Sequence, residues 1–359
     1  MNCKEKNRDI YIDILRIMAT VAVLLIHTAA QYWGDKNIPF ITWNVLNVWD
    51  AILQWTVPVF IMISGSLYLN RSYNISVKKI YSISIFRVVT AYLFWSFIYA
   101  LYQVHLEGGG FSRILALTLD GHYHLWFLYM IVSLYIITPL LKKLSEEDLK
   151  YLLIVSLILC FLIPTIMELK NAVKPFIGSE VLCKALDQIF SPYIIFMKYL
   201  KIDYVAYYIL GHFLHEREFK TGELKLLYSL SVVSFIFTPL FSAIITFFGK
   251  QPYGIYGIFT VNMLLESVGV FVFVKQGCLK HGGSSGKAER IIIFLSGCCF
   301  GIYLVHALLL EILQNEFSVD SLCFNPLLSV PIIASFVFMV SLGITVIIKK
   351  IPVVNKYLV

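Results

Sequence analysis

The sequence predicts an all-α integral membrane protein, a bundle of about ten transmembrane helices with both termini cytoplasmic. The composition points there first: 59% of residues are hydrophobic, 14% are charged and mean hydropathy is +0.79, too apolar for an ordinary soluble domain. Apolar runs near the ~20 residues needed to cross a bilayer recur along all 359 residues. Lysine and arginine also gather in alternate connections between those runs.

Taken in order, the runs cover residues 10–33, 51–69, 80–105, 122–141, 151–169, 203–216, 226–249, 258–277, 291–315 and 328–348. Most are bounded by charge: Lys78-Lys79 precede the third, Lys142-Lys143 follow the fourth, Arg217 follows the sixth and Lys349-Lys350 close the tenth. The sixth is the shortest. With residues 1–9 placed in the cytoplasm, nineteen Lys and Arg fall on the cytoplasmic side, eight fall outside, and Arg16 and Arg87 lie within spans. Adding or removing one span would scramble that bias. No repeat or soluble module interrupts the pattern, so residues 1–359 read as a single transmembrane domain.

Several function classes drop out at this point. A net charge of +7 does not suggest nucleic acid, because the cations sit between apolar spans and not on a basic patch. The first run lacks a small-residue cleavage site and reads as a retained span. Seven cysteines without metal-like spacing read as apolar fillers, with Cys183 and Cys323 a weak disulfide candidate. Trp33, Trp43 and Trp49 read as interface anchors. Gly282-Gly-Ser-Ser-Gly286 reads as a flexible linker, and the external stretch 170–202, with apolar Pro192–Met197, as an interfacial helix or lid.

The first run nevertheless carries Asp13, Arg16 and His27. Arg16 and His27 are eleven residues apart, three turns plus 20°, so they share a helix face with roughly 16 Å of rise between them. Asp13, three residues before Arg16, is within ion-pair reach. Taken singly, Arg16 has the alternative reading of a snorkelling interfacial residue and His27 that of a core or outer-interface histidine, in each case the less favoured one. Their common face favours a functional path, since ionisable groups in hydrocarbon are costly. Glu266, near the middle of the eighth run, reads as a polar group facing the bundle.

Together with five further segments, this run resembles the acyltransferase 3 family of multi-pass membrane acyltransferases, over nearly the whole chain. Arg16, ten residues and His27 match the family's Arg and His motif. Phe60-Ile-Met-Ile-Ser64-Gly65 matches Phe-Phe-x-x-Ser-Gly with Ile61 for the second Phe. The family's Arg-x-x-Arg is reduced to Arg87, with Ser84 at the partner position and Lys78 and Lys79 as nearby substitutes. His124-Leu-Trp126-Phe-Leu128 and Phe300-Gly-Ile-Tyr303-Leu-Val-His306 also match, and Tyr207–Leu214 does so more weakly.

The resemblance implies transfer of an acyl group, usually acetyl from acetyl-CoA, to an acceptor such as a carbohydrate or lipid-linked glycan hydroxyl in the bacterial cell envelope. A hydroxyl is a weak nucleophile near pH 7 and needs a base, for which His27 is the candidate. CoA brings phosphate charge from the cytoplasm, which suits Arg16, Arg87 and Lys79, with Asp13 orienting Arg16. His124, Trp126, Tyr303, His306, Glu266 and Ser64 are the candidates for the acceptor side. Ser64-Gly65 also suits close helix packing, the preferred reading over a nucleophilic serine. His122-x-His124 lacks a third ligand nearby, so no metal is expected. His306 and Glu311 are about 140° apart on one helix and do not form a His-x-x-x-x-Asp-type pair. Some family members carry an extracellular transferase domain, and here a one-protein reaction or a separate extracytoplasmic partner would take that role. The rival reading is a transporter of a small polar substrate such as an amino acid, with Asp13, Arg16, His27 and Glu266 along its path.

Overall fold

The structure, a computed structural model, describes residues 8–70, 76–200, 202–280, 286–352 and 354–359. It is 83% helical with no strands among these residues. The helices are α1 (Ile10–Ala29), α2 (Phe40–Ala51), α3 (Thr56–Tyr68), α4 (Val77–Glu107), α5 (Phe111–Asp120), α6 (Trp126–Leu141) and α7 (Glu146–Phe176). There follow α8 (Glu180–Tyr199), α9 (Asp203–Glu216), α10 (Thr221–Gly249), α11 (Val261–Lys280), α12 (Lys287–Phe317), α13 (Pro326–Lys349) and the short α14 (Val354–Leu358). Among the described residues nine stretches are long and apolar enough to cross a membrane, α2–α3 and α5–α6 each counting as one.

At the centre is α1, packed against α3, α11, α12 and α13. Its sequence sets that position: Tyr11, Ile12, Leu15, Ala19 and Ala22 recur at helical spacing and are buried in one core cluster, while Met18 and Val21 point outward. At one end of the bundle Ser296 Oγ donates to Asp13 Oδ1 (2.6 Å), Lys349 Nζ donates to the Gly297 carbonyl and Arg87 donates to the main-chain oxygen of Val359 (2.5 Å). The first and last described residues therefore lie at this same end.

The tenth crossing is built in two pieces. The predicted sixth span is α9, only 14 residues and too short to cross alone at about 1.5 Å per residue. It continues α8, which runs back along α7: Lys170 and Lys174 bond Asp187 (2.8 and 2.5 Å), Tyr193 donates to the Leu159 carbonyl (2.7 Å) and His212 meets Glu146 (3.2 Å). The external stretch around 180–199 is thus a helix folded against α7. α9 crosses α3 with almost no gap, since a Cβ on Gly65 would lie 1.8 Å from the Tyr208 carbonyl oxygen and one on Gly211 2.1 Å from that of Met62.

The predicted fourth span is the second half of a broken helix pair. The short amphipathic α5 folds back along α4, and the chain unwinds from Gly121 before α6 begins at Trp126. Gly121 has φ +81°, and a Cβ there would strike the Tyr92 hydroxyl at 2.3 Å, so the break needs glycine. Irregular backbone at membrane depth is tolerated where protein buries it, and here it brings His122 and His124 into the bundle and leaves Tyr123 exposed between them.

Other expectations are corrected. Trp43 is buried, with its indole N–H bonded to the Trp33 carbonyl (2.8 Å), so it braces the α1–α2 connection and is not a lipid-interface anchor. The described cysteines are all free, Cys183 and Cys323 included, and Cys160, Cys298 and Cys299 are buried fillers. Residues 282–285 of the predicted linker, and Cys3, lie outside the described residues.

Candidate active site

Three elements bring histidines together: α1 supplies His27, the break before α6 supplies His122 and His124, and α12 supplies His306. The partly buried His27 ring lies 5.1 Å from that of His306 and 5.5 Å from that of Tyr123, measured between centroids. His124 sits 5.2 Å from His306 and 5.5 Å from Tyr303. His122 stacks on Tyr99 of α4 at 4.2 Å with planes 14° apart. His122, His124 and His306 are all buried.

The hydrogen bonds fix these rings. Tyr303 donates to the His124 carbonyl (2.5 Å), and His306 Nδ1 donates to the Tyr303 carbonyl (2.6 Å). Tyr99 donates to the Leu304 carbonyl and accepts from the Leu308 N–H, which clamps α4 to α12. His122 bonds His124 (2.9 Å) and Glu311 (2.7 Å). Two ring nitrogens, His124 Nε2 and His306 Nε2, are buried with no hydrogen-bond partner among the described residues. Buried polar groups without partners are rare and mark places where a ligand or water belongs. Despite the four histidines, no group among the described residues has the arrangement to hold a metal ion.

At the other end of α1, Asp13 is buried and held mainly by Arg8, whose Nε and Nη2 reach its two oxygens at 2.6 and 2.8 Å. Arg16 is the looser partner at 3.6 Å, and its side chain is 31% exposed. The Asp13 carboxylate, expected to orient Arg16, is thus divided among Arg8, Ser296 and Arg16. Arg87 lies at the same end, its guanidinium over the Phe300 ring (5.2 Å) and bonded to Val359. Lys79 is exposed at the start of α4.

The remaining candidates separate. Tyr303 and His306 belong to the histidine cluster. Trp126 does not: its ring contacts are Phe127 and Tyr204, where α6 and α9 begin side by side. Ser64 donates to the Phe60 carbonyl of its own helix (3.1 Å), leaving Gly65 as the feature that packs. Glu266 is fully buried in a different place, accepting from Thr238 on α10 (2.7 Å), and Asn262 donates to the same hydroxyl (3.0 Å).

Sequence reasoning missed Tyr99 and the pairing of Glu311 with His122. Glu311 does not pair with His306 on its own helix; its partner lies 189 residues away in sequence. Gly121 after Asp120 was the available signal that an amphipathic stretch and an apolar span meet at a break.

Fold and site together define an all-α multi-pass membrane protein whose interior is lined by histidine and tyrosine. The chain belongs to the acyltransferase 3 family: the family model, described as an acyltransferase domain, matches residues 9–349, nearly its whole length. No curated protein and no solved structure matches it.

Proposed function

We propose that this protein moves an acetyl group from acetyl-CoA to a hydroxyl of a carbohydrate or cell-envelope glycan in a bacterial plasma membrane, with His27 as general base. The observation that carries the reading is the junction of His27 with His306, His124 and Tyr123, where two buried ring nitrogens lack partners. Basic nitrogens that need hydrogen-bond donors suit a hydroxylated acceptor. Arg16, Arg87 and Lys79, toward the Asp13 end, supply cations for the phosphates of CoA, and Arg suits phosphate by forked hydrogen bonding. The α1 face between Arg16 and His27 spans roughly 16 Å, which suits the extended pantetheine arm. As the hydroxyl oxygen attacks the thioester carbonyl its proton passes to His27. The C–S bond then breaks, and the leaving sulfur takes the proton back as the thiol of CoA.

The test uses purified protein in liposomes with labelled acetyl-CoA and bacterial membrane glycans. Label should appear on the glycan, and CoA should be released only when an acceptor is present. Release that is independent of acceptor and unchanged in His27→Ala would sink the proposal. The orientation has its own check. Cysteines introduced at the exposed Ser145 and Ser318 should react with an impermeant reagent from the cytoplasmic and the outer side respectively. Labelling of position 145 from outside alone contradicts it. A separate extracytoplasmic partner would be recognised by acceptor acetylation in cells that purified protein fails to reproduce on polymer.

A further inference from the structure

Proton positions along the Glu311–His122–His124 chain follow from which atoms can donate. His122 Nε2 lies 2.7 Å from Glu311 Oε1, and His122 Nδ1 lies 2.9 Å from His124 Nδ1. An ionised carboxylate only accepts, so with Glu311 ionised His122 Nε2 carries the hydrogen. A neutral imidazole carries one N–H, which leaves His122 Nδ1 as a lone pair and makes His124 Nδ1 the donor in their bond. His124 Nε2 is then a lone pair too. That nitrogen is one of the two buried without a partner among the described residues. The other, His306 Nε2, is a lone pair for a simpler reason, because His306 Nδ1 donates to a carbonyl that can only accept.

We infer that Glu311, acting through His122, locks His124 in the Nδ1–H tautomer so that its Nε2, on a ring 5.2 Å from that of His306, binds a hydroxyl donor of the acyl acceptor in the cluster that holds His27. The acceptor half of this inference rests on the proposed acyl transfer; the tautomer half does not. Glu311 and His122 are positioning residues. The Glu311 side chain is 24% exposed, so it sits at the outer part of the cluster where water reaches it. The Tyr99 ring stacked on His122 holds the imidazole in the plane that both bonds need. Two lone pairs in one cluster with the base suit an acceptor that brings a second hydrogen-bond donor near the reacting hydroxyl, as a sugar diol does.

Nitrogen-15 NMR of histidine-labelled protein in lipid bilayers tests the lock without any substrate, the His124 signal being identified by its loss in His124→Gln. The wild-type protein should hold His124 with Nδ1 protonated and Nε2 bare, and Glu311→Ala should abolish that single-tautomer state. His124 protonated at Nε2 in the wild type, or unaltered by Glu311→Ala, overturns the lock. In the acetyl-transfer assay with a glycan acceptor, Glu311→Ala and His124→Gln should each raise the acceptor KM about tenfold and leave the acetyl-CoA KM within about twofold, with Glu311→Asp partly restoring the acceptor KM. A rise in the acetyl-CoA KM with no change for the acceptor overturns the acceptor role. Failure of the wild-type protein to turn over at all counts against the proposed function, whereas the NMR result still decides the lock.

Discussion

His27→Ala is expected to lower acceptor-dependent release of CoA by about 10²–10⁴-fold, the range over which a positioned base contributes. The magnitude follows from what the substitution leaves behind. Hydroxyl attack on a thioester near pH 7 needs a group that takes the proton as the bond forms, and alanine offers none. The cluster geometry argues against simple replacement by a neighbour: the His306 ring is held by its bond to the Tyr303 carbonyl and the His124 ring by its bond to His122, while Tyr303 holds the His124 main-chain carbonyl, so neither ring is free to swing into the vacated place. The fold should survive, because the ring contacts of His27 are with Tyr123 and His306 and not with the core of α1. Thermal unfolding in detergent should therefore stay close to wild type while turnover collapses. If turnover persists in a folded His27→Ala protein, the base lies elsewhere in the cluster, and His124 is the first residue to test.

Much of the fold was legible because bilayer thickness imposes a length on apolar runs, and charge marks their ends. α1 from Ile10, α10, α12 and α13 begin and end within a few residues of their predicted limits. What stayed hidden was where a helix breaks inside the bundle. Hydropathy windows report how apolar a stretch is, but not whether its backbone is continuous, so the unwound segment at His122–Leu125 was read as the start of a span. The same blindness shortened the tenth crossing to α9, because α8 carries enough polar residues to look external. On the site, the Arg16 and His27 face was readable from spacing alone, a local property of one helix. The cluster around it was not, since Tyr99, His122, Glu311 and His306 come from three elements that only tertiary packing brings together.

Gly65→Ala and Gly211→Ala should each destabilise the protein by about 1–3 kcal/mol, the usual cost of forcing extra volume into a packed contact. On an exposed helix the same change would gain up to about 1 kcal/mol from helix propensity, so the contact decides the sign. At these two positions the added carbon would lie 1.8 and 2.1 Å from backbone oxygens of the facing helix, far inside contact distance, and backbone cannot rotate away as a side chain can. α3 and α9 must then separate. The separation would not remain local. Tyr208 on α9 is bonded to Thr138 on α6 (2.8 Å), Tyr207 donates to the Ile258 carbonyl (2.7 Å), and Tyr204 meets Trp126 at the start of α6, two residues after His124. Moving α9 therefore drags the start of α6 and the histidine that precedes it, so turnover should fall along with the unfolding midpoint. Ser64→Ala, one residue away, is the control. Its hydroxyl donates to the Phe60 carbonyl of its own helix and meets the Tyr135 hydroxyl of α6, so its loss should change stability by no more than about 1 kcal/mol and leave turnover nearly intact. A folded Ser64→Ala protein without turnover would move that hydroxyl from packing into chemistry, and the motif around Gly65 would need a catalytic explanation in place of a steric one.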